Sequence, residues 1–171
     1  LPTTSAEAVE LELVLAEKLF DAIGCRPTAL VFPRNQLGQF DRLRRFGFES
    51  FRDSAPSGVG ARIRGLASEF NVWDSARRDL PTVRDGWNVS PAGLFLNWPS
   101  GVRSLVPVQI TVQRWKSLLR NAAEQGGYVH MWFHPHNLIT APSMKFALAE
   151  ITRFAGDLVK AGDMCNLTIS E

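Results

Sequence analysis

The chain has 171 residues, 45% hydrophobic and 21% charged, with a formal net charge of +2. That length fits one globular domain with a substantial core. So small a net charge argues against nucleic acid or an anionic membrane as a partner, and no apolar run approaches the ~18 residues of a membrane helix.

No charged and apolar signal region opens the chain. Leu1 rather than Met stands first, so the sequence is expected to begin inside something longer, or to have been processed or trimmed. Fifteen Arg against four Lys is a strong skew. Arginine's planar, multidentate hydrogen bonding suits carboxylate and hydroxyl-rich ligands, although a GC-rich genome produces the same skew. Cys25 and Cys165 lie far apart and outside any CxxC spacing, so two free, buried thiols are expected rather than a disulfide.

In chain order, Thr4 and Glu7 form a T-x-x-E capping box. Val9, Leu13, Ala16, Phe20 and Ile23 then follow at helical steps up to Gly24. "TALVFP" is a short apolar run expected to be a strand covered on both faces. After the polar turn "RNQLG", Phe40, Leu43 and Phe46 predict a helix closed by Gly47, and "FESFR" reads as another strand. Strand, helix, strand in so few residues is the pattern of a βαβ crossover in a parallel sheet. "DSAPSGVGA" reads as a loop, and residues 61 to 78 as a helix with Ile63, Leu66, Phe70 and Trp73 inward. Residues 79 to 109 are irregular, with short strands at "LFLN" and "SLVPV" or a long loop over a site as the alternatives. "TVQRWKSLLRNAAEQ" predicts a helix burying Val112, Trp115, Leu119 and Ala122, stopped by Gly126-Gly127. The strand "YVHMWFH" follows, then a helix with Met144, Ala147, Ile151, Phe154 and Leu158 on one face up to Gly162. "MCNLTI" is expected as a final strand. The alternation is α/β, without repeats and without a second domain.

All three histidines fall within "YVHMWFHPHNL". The period of two puts His130, Trp132 and His134 on one side of a strand, with Met131 and Phe133 on the other. Pro135 ends regular pairing, which puts His134 at the strand's carboxyl end, where parallel α/β sheets bind ligands. His136 and Asn137 follow at the same rim. An extended strand separates His130 and His134 by about 13 Å, too far for both to sit at ~2 Å from one zinc ion. A metal site using His134, His136 and distant ligands stays open. His130 reads best as a satisfied core histidine, and Trp132 either as a core residue or as an apolar face for a sugar ring.

"LVFPRNQLGQFDRLRRFGFESFR" and "HMWFHPHNL", in that order and spacing, resemble the polysaccharide deacetylase family (nodulation-type and peptidoglycan deacetylases, carbohydrate esterase family four). The resemblance is closest to bacterial members encoded with polysaccharide biosynthesis genes, and it runs from about residue 5 to residue 171. It implies a partial, distorted (β/α) barrel of mostly parallel strands, and removal of acetyl groups from N-acetylated sugars with a divalent metal, usually zinc. The family's T-F-D-D and H-[ST]-x-x-H motifs, which carry the catalytic base and metal ligands, do not occur in this chain. The resemblance therefore implies the C-terminal portion of a deacetylase, with no metal ligand of its own and inactive alone. It assigns His134 as the general acid and Arg34 as the arginine that orients and charges the base. Trp132, Asn35, His136 and Asn137 are the candidate substrate-binding residues, and an N-acetylated polysaccharide or oligosaccharide is the expected partner. A non-catalytic binding or assembly module of the same fold is the alternative. A partial barrel leaves strand edges unpaired, so missing residues, a second copy in a homo-oligomer, or rearranged elements are expected to mask them.

Overall fold

The computed structural model describes residues 5–33, 36–54 and 80–171. The chain divides into two compact units, one of Leu1–Ala55, Pro81–Ala92 and Leu167–Glu171, the other of Pro56–Leu80 and Gly93–Asn166. The expected helix over residues 61 to 78 lies outside the described residues.

The first unit opens with α1 (Ala6–Ala22). Its N-cap is Ser5, whose side chain accepts a hydrogen bond from the Ala8 amide, so the cap falls one residue after the expected Thr4. Val9 is buried and Leu13 packs on the core, but Ile23 lies beyond the helix end and is 74% exposed. The strand β1 (Ala29–Val31), the helix α2 (Phe40–Arg45) and the strand β2 (Ser50–Arg52) form the expected unit, with β1 and β2 parallel. Gly47 follows α2 with φ +83°, a conformation glycine adopts without steric cost.

The sheet continues where the sequence looks irregular. β3 (Thr82–Arg84) and β4 (Trp87–Ser90) form an antiparallel hairpin, and β4 pairs parallel with β2, giving the order β1-β2-β4-β3. Asp85 and Gly86 both have positive φ, as a two-residue type I′ turn requires. Antiparallel β3 thus covers one side of the three parallel strands, while β1 forms the opposite edge. Phe32, Leu43, Phe48, Phe51, Trp87 and Val89 make the core. Each such side chain contributes roughly 1.5–3 kcal/mol on burial. The Phe32, Phe40, Phe51 and Trp87 rings meet mostly edge to face, an arrangement favoured by their quadrupoles.

The expected final strand "MCNLTI" is absent. The tail closes on itself, with the Thr168 amide donating to Glu171 Oε2 at 2.8 Å and the Glu171 amide to Thr168 O at 3.2 Å. Ser170 Oγ bonds Thr28 Oγ1 at 2.6 Å, which fastens this segment to the first unit.

In the second unit, β5 (Leu94–Phe95) and β6 (Met131–Trp132) form a parallel pair. The helices α3 (Val108–Gln125) and α5 (Pro142–Ala161) share one core with that pair, and the short helix α4 (Asn137–Thr140) precedes α5. The helical spacing was a true guide: Val112, Trp115, Leu119 and Ala122 of α3 and Met144, Ala147 and Ile151 of α5 are all buried. Gly126 and Gly162 cap these helices in the left-handed conformation. "SLVPV" is not a strand. Residues Gly101–Leu105 form a 3-10 turn, Ser104 Oγ donates to Gly101 O, and Pro107 becomes the N-cap of α3.

The architecture is mixed α/β with a mostly parallel sheet, and among the described residues no barrel closes. None of their helices is long and apolar enough to cross a membrane. Cys25 and Cys165 are free, as expected, but exposed rather than buried.

Lys116 on α3 reaches Glu150 on α5 at 3.1 Å, and Arg153 joins the same carboxylate. The Lys116 hydrogen bond is the main cause that lowers the Glu150 pKa, with Arg153 adding to it. A depressed carboxylate stabilises the folded state above its unfolded pKa, about 4.3, and that stabilisation is lost as pH falls through the lower folded value. In thermal melts, Glu150→Gln is expected to melt below the unsubstituted chain at neutral pH, and the gap should close as pH falls below about 4.

Candidate functional site

The site is built on the β5–β6 pair. The Leu94 amide donates to His130 O at 2.8 Å and the Leu96 amide to Trp132 O at 2.9 Å. This register sets Phe95 opposite Trp132. Side chains alternate across a strand, and here Leu94, Met131 and Phe133 pack on the α3–α5 core. Phe95, Trp132 and His134 group together instead: Phe95 to Trp132 is 4.6 Å between ring centroids, Trp132 to His134 5.7 Å and Phe95 to His134 6.0 Å.

Because the strands are parallel, their carboxyl ends share one rim. His134 lies just past β6 and is exposed. Pro135 interrupts the ladder, and the Asn137 amide turns back to donate to His134 O at 2.9 Å. That turn stacks the exposed His136 ring on His134, with centroids 5.4 Å apart and planes 11° from parallel. On the neighbouring strand end, the buried Asn97 reaches Thr111 in the first turn of α3, Nδ2 to Oγ1, at 3.5 Å.

His134, His136 and Trp132 are thus brought into one array. Asn137 lies beneath the rim rather than on it: it is 1% exposed, and neither side-chain polar atom has a hydrogen-bond partner among the described residues. Arg34 and Asn35 lie outside the described residues. His130 is half-buried, edge-on to Tyr128 at 6.4 Å. Sequence reasoning missed Phe95, Asn97 and Arg103, whose guanidinium lies 5.9 Å from the Phe95 ring centroid. The run "LFLN" carried a signal for the first two, since it repeats the order of "MWFH": apolar, aromatic, apolar, polar. Gly93 is fixed by close approach, because with φ +70° a Cβ there would meet His130 O at 2.5 Å.

His134 and His136 are neighbouring donors, but the described residues contain no group of three His, Cys, Asp or Glu able to hold an ion. Zinc commonly takes at least three protein ligands. The first unit has a separate cleft of about 630 Å³ lined by Phe40, Trp87, Arg42, Arg44 and Arg84. Its arginines are engaged: Arg44 with Asp85 O and the Trp87 ring, Arg84 with Asp53, and Arg42 with Gln39 and Glu10. The β5–β6 rim, with two exposed imidazoles beside an aromatic wall, is the better candidate.

Comparison of the chain with protein-family models, with curated proteins and with solved structures gave no match.

Three stability outcomes follow, two of them for the site and one, at Gly162, for the α5 cap. Gly162→Ala adds a Cβ in open space at positive φ and should cost about 1 kcal/mol. Gly93→Ala must also displace the His130 carbonyl and should cost roughly 3 kcal/mol, measured by denaturant unfolding. Asn137→Leu removes a buried carboxamide that has no hydrogen-bond partner, so its Tm should equal or exceed that of the unsubstituted chain. A fall of more than about 1 kcal/mol would show that this amide is satisfied in solution.

Proposed function

We propose that the chain is the C-terminal portion of a polysaccharide-deacetylase-like hydrolase, a segment of a distorted (β/α) barrel acting on the amide of an N-acetylated sugar. The observation that carries this reading is the exposed His134 at the carboxyl end of β6, flanked by Trp132 and Phe95. Hydrolysis of an acetamide adds water across the carbonyl, breaks the C–N bond and delivers a proton to the departing amine. Imidazole titrates closer to neutrality than any other side chain, and a proton donor at the leaving nitrogen is what this step needs. His134 supplies that proton. Trp132 and Phe95 present rings against which the apolar face of a pyranose packs, while His136 orients hydroxyl groups. Arg34 holds the catalytic base ionised, since a nearby cation favours a carboxylate's charged form. A divalent metal would supply the activated water and polarise the carbonyl. The metal ligands and the base itself belong to sequence outside this chain in the proposed parent protein.

The absence of a metal-binding group among the described residues favours a second reading, a sugar-binding or assembly module without turnover. Acetate release from chitooligosaccharides separates the two. The assay uses the chain extended by its own upstream sequence, with zinc or cobalt added. On the hydrolase reading, His134→Ala lowers turnover by about 10²–10⁴-fold and leaves metal content and sugar binding intact. Metal loss in that variant would refute the proton-donor role. On the binding reading, no form releases acetate, and Trp132→Ala weakens oligosaccharide binding.

A further inference from the structure

We infer that the sugar bound at the β5–β6 rim carries an anionic group, carboxylate or phosphate, set against Arg103. The inference rests on the carbohydrate reading above and adds its charge class. Between Asp85 and Glu150 the sequence has one carboxylate, Glu124, against Arg103, Arg114, Lys116, Arg120 and Lys145. Glu124 is no neutraliser of the rim. It stands in the last turn of α3, about 25 Å along the helix from its start. The first turn of α3 meets Asn97 at the rim. That turn contains no acidic residue and has no side-chain cap, so its positive dipole end is uncompensated.

Arg103 adds a full charge to this field. Its guanidinium lies 5.9 Å from the centroid of Phe95, the same ring that lies 6.0 Å from the centroid of His134. It forms no ion pair with any described residue, in contrast to the engaged arginines of the first unit's cleft. Nor do the side chains of His134 and His136 have a hydrogen-bond partner among the described residues. An arginine fork held on the same aromatic ring that meets His134, with no carboxylate partner among the described residues, matches the oxygens of a phosphate or carboxylate. A neutral glycan would leave Arg103 without an ionic partner among the described residues.

The test measures binding by calorimetry at low and moderate ionic strength. The probes are N,N′-diacetylchitobiose (neutral), N-acetylglucosamine 1-phosphate, N-acetylmuramic acid and inorganic phosphate. The sugar phosphate or the sugar carboxylate should bind at least ~10-fold more tightly than the neutral disaccharide, with a preference that weakens as salt screens it. Whichever of the two binds better identifies the source of the charge. Arg103→Gln should bring the anionic probe to within about 2-fold of the neutral one, and Arg103→Lys should retain part of the preference. Equal binding of neutral and anionic sugars overturns the inference and leaves the hydrolase reading standing. So does an anion preference untouched in Arg103→Gln, or inorganic phosphate binding as tightly as the sugar phosphate. If no sugar of either charge binds, both readings fall.

Discussion

Two backbone hydrogen bonds, Leu94 N to His130 O and Leu96 N to Trp132 O, fix the register on which the candidate site depends. Shifting the pairing by one residue would turn Trp132 and His134 into the core and expose Met131 and Phe133, because side chains alternate with a period of two. The apolar face of the pair, packed on α3 and α5, therefore holds the polar face in place. Gly93 belongs to the same constraint, since only a residue without Cβ lets the chain pass so near the His130 carbonyl.

The two faces have opposite energetic characters. On one side Trp115, Leu118, Met144 and Ile151 are nearly inaccessible and make an ordinary close-packed core. On the other, rings meet one another in series from Phe95 through Trp132 and His134 to His136, with exposure increasing toward the last two. Beneath the rim, Asn137 and the Asn97 carbonyl are buried without partners among the described residues, a cost the sequence would shed by carrying apolar residues there. Sites that sacrifice local stability in this way are commonly functional ones.

Much of this arrangement was legible in the sequence, for identifiable reasons. Helical periodicity found α3 and α5 because their buried positions recur without interruption. Alternation placed Met131 and Phe133 opposite Trp132 and His134, as the packing bears out. β4 was missed although Trp87, Asn88 and Val89 alternate buried, exposed, buried. The surrounding Pro and Gly residues hid a three-residue signal, and the Asp85-Gly86 turn that would have revealed it went unread. The burial of Asn137 had no sequence signal, because it begins a helix too short to show a period. The terminal run around Leu167 does not form a strand, and its last residues bond one another instead, Thr168 with Glu171.

Residues 167–171 belong to a unit whose other parts were laid down much earlier in the chain, and Ser170 closes on Thr28. During synthesis, which proceeds at about 5–20 residues per second, the Ser170–Thr28 hydrogen bond is among the last contacts of the first unit to become possible. The second unit's strands and helices follow one another over a shorter stretch, and such local connectivity favours fast formation.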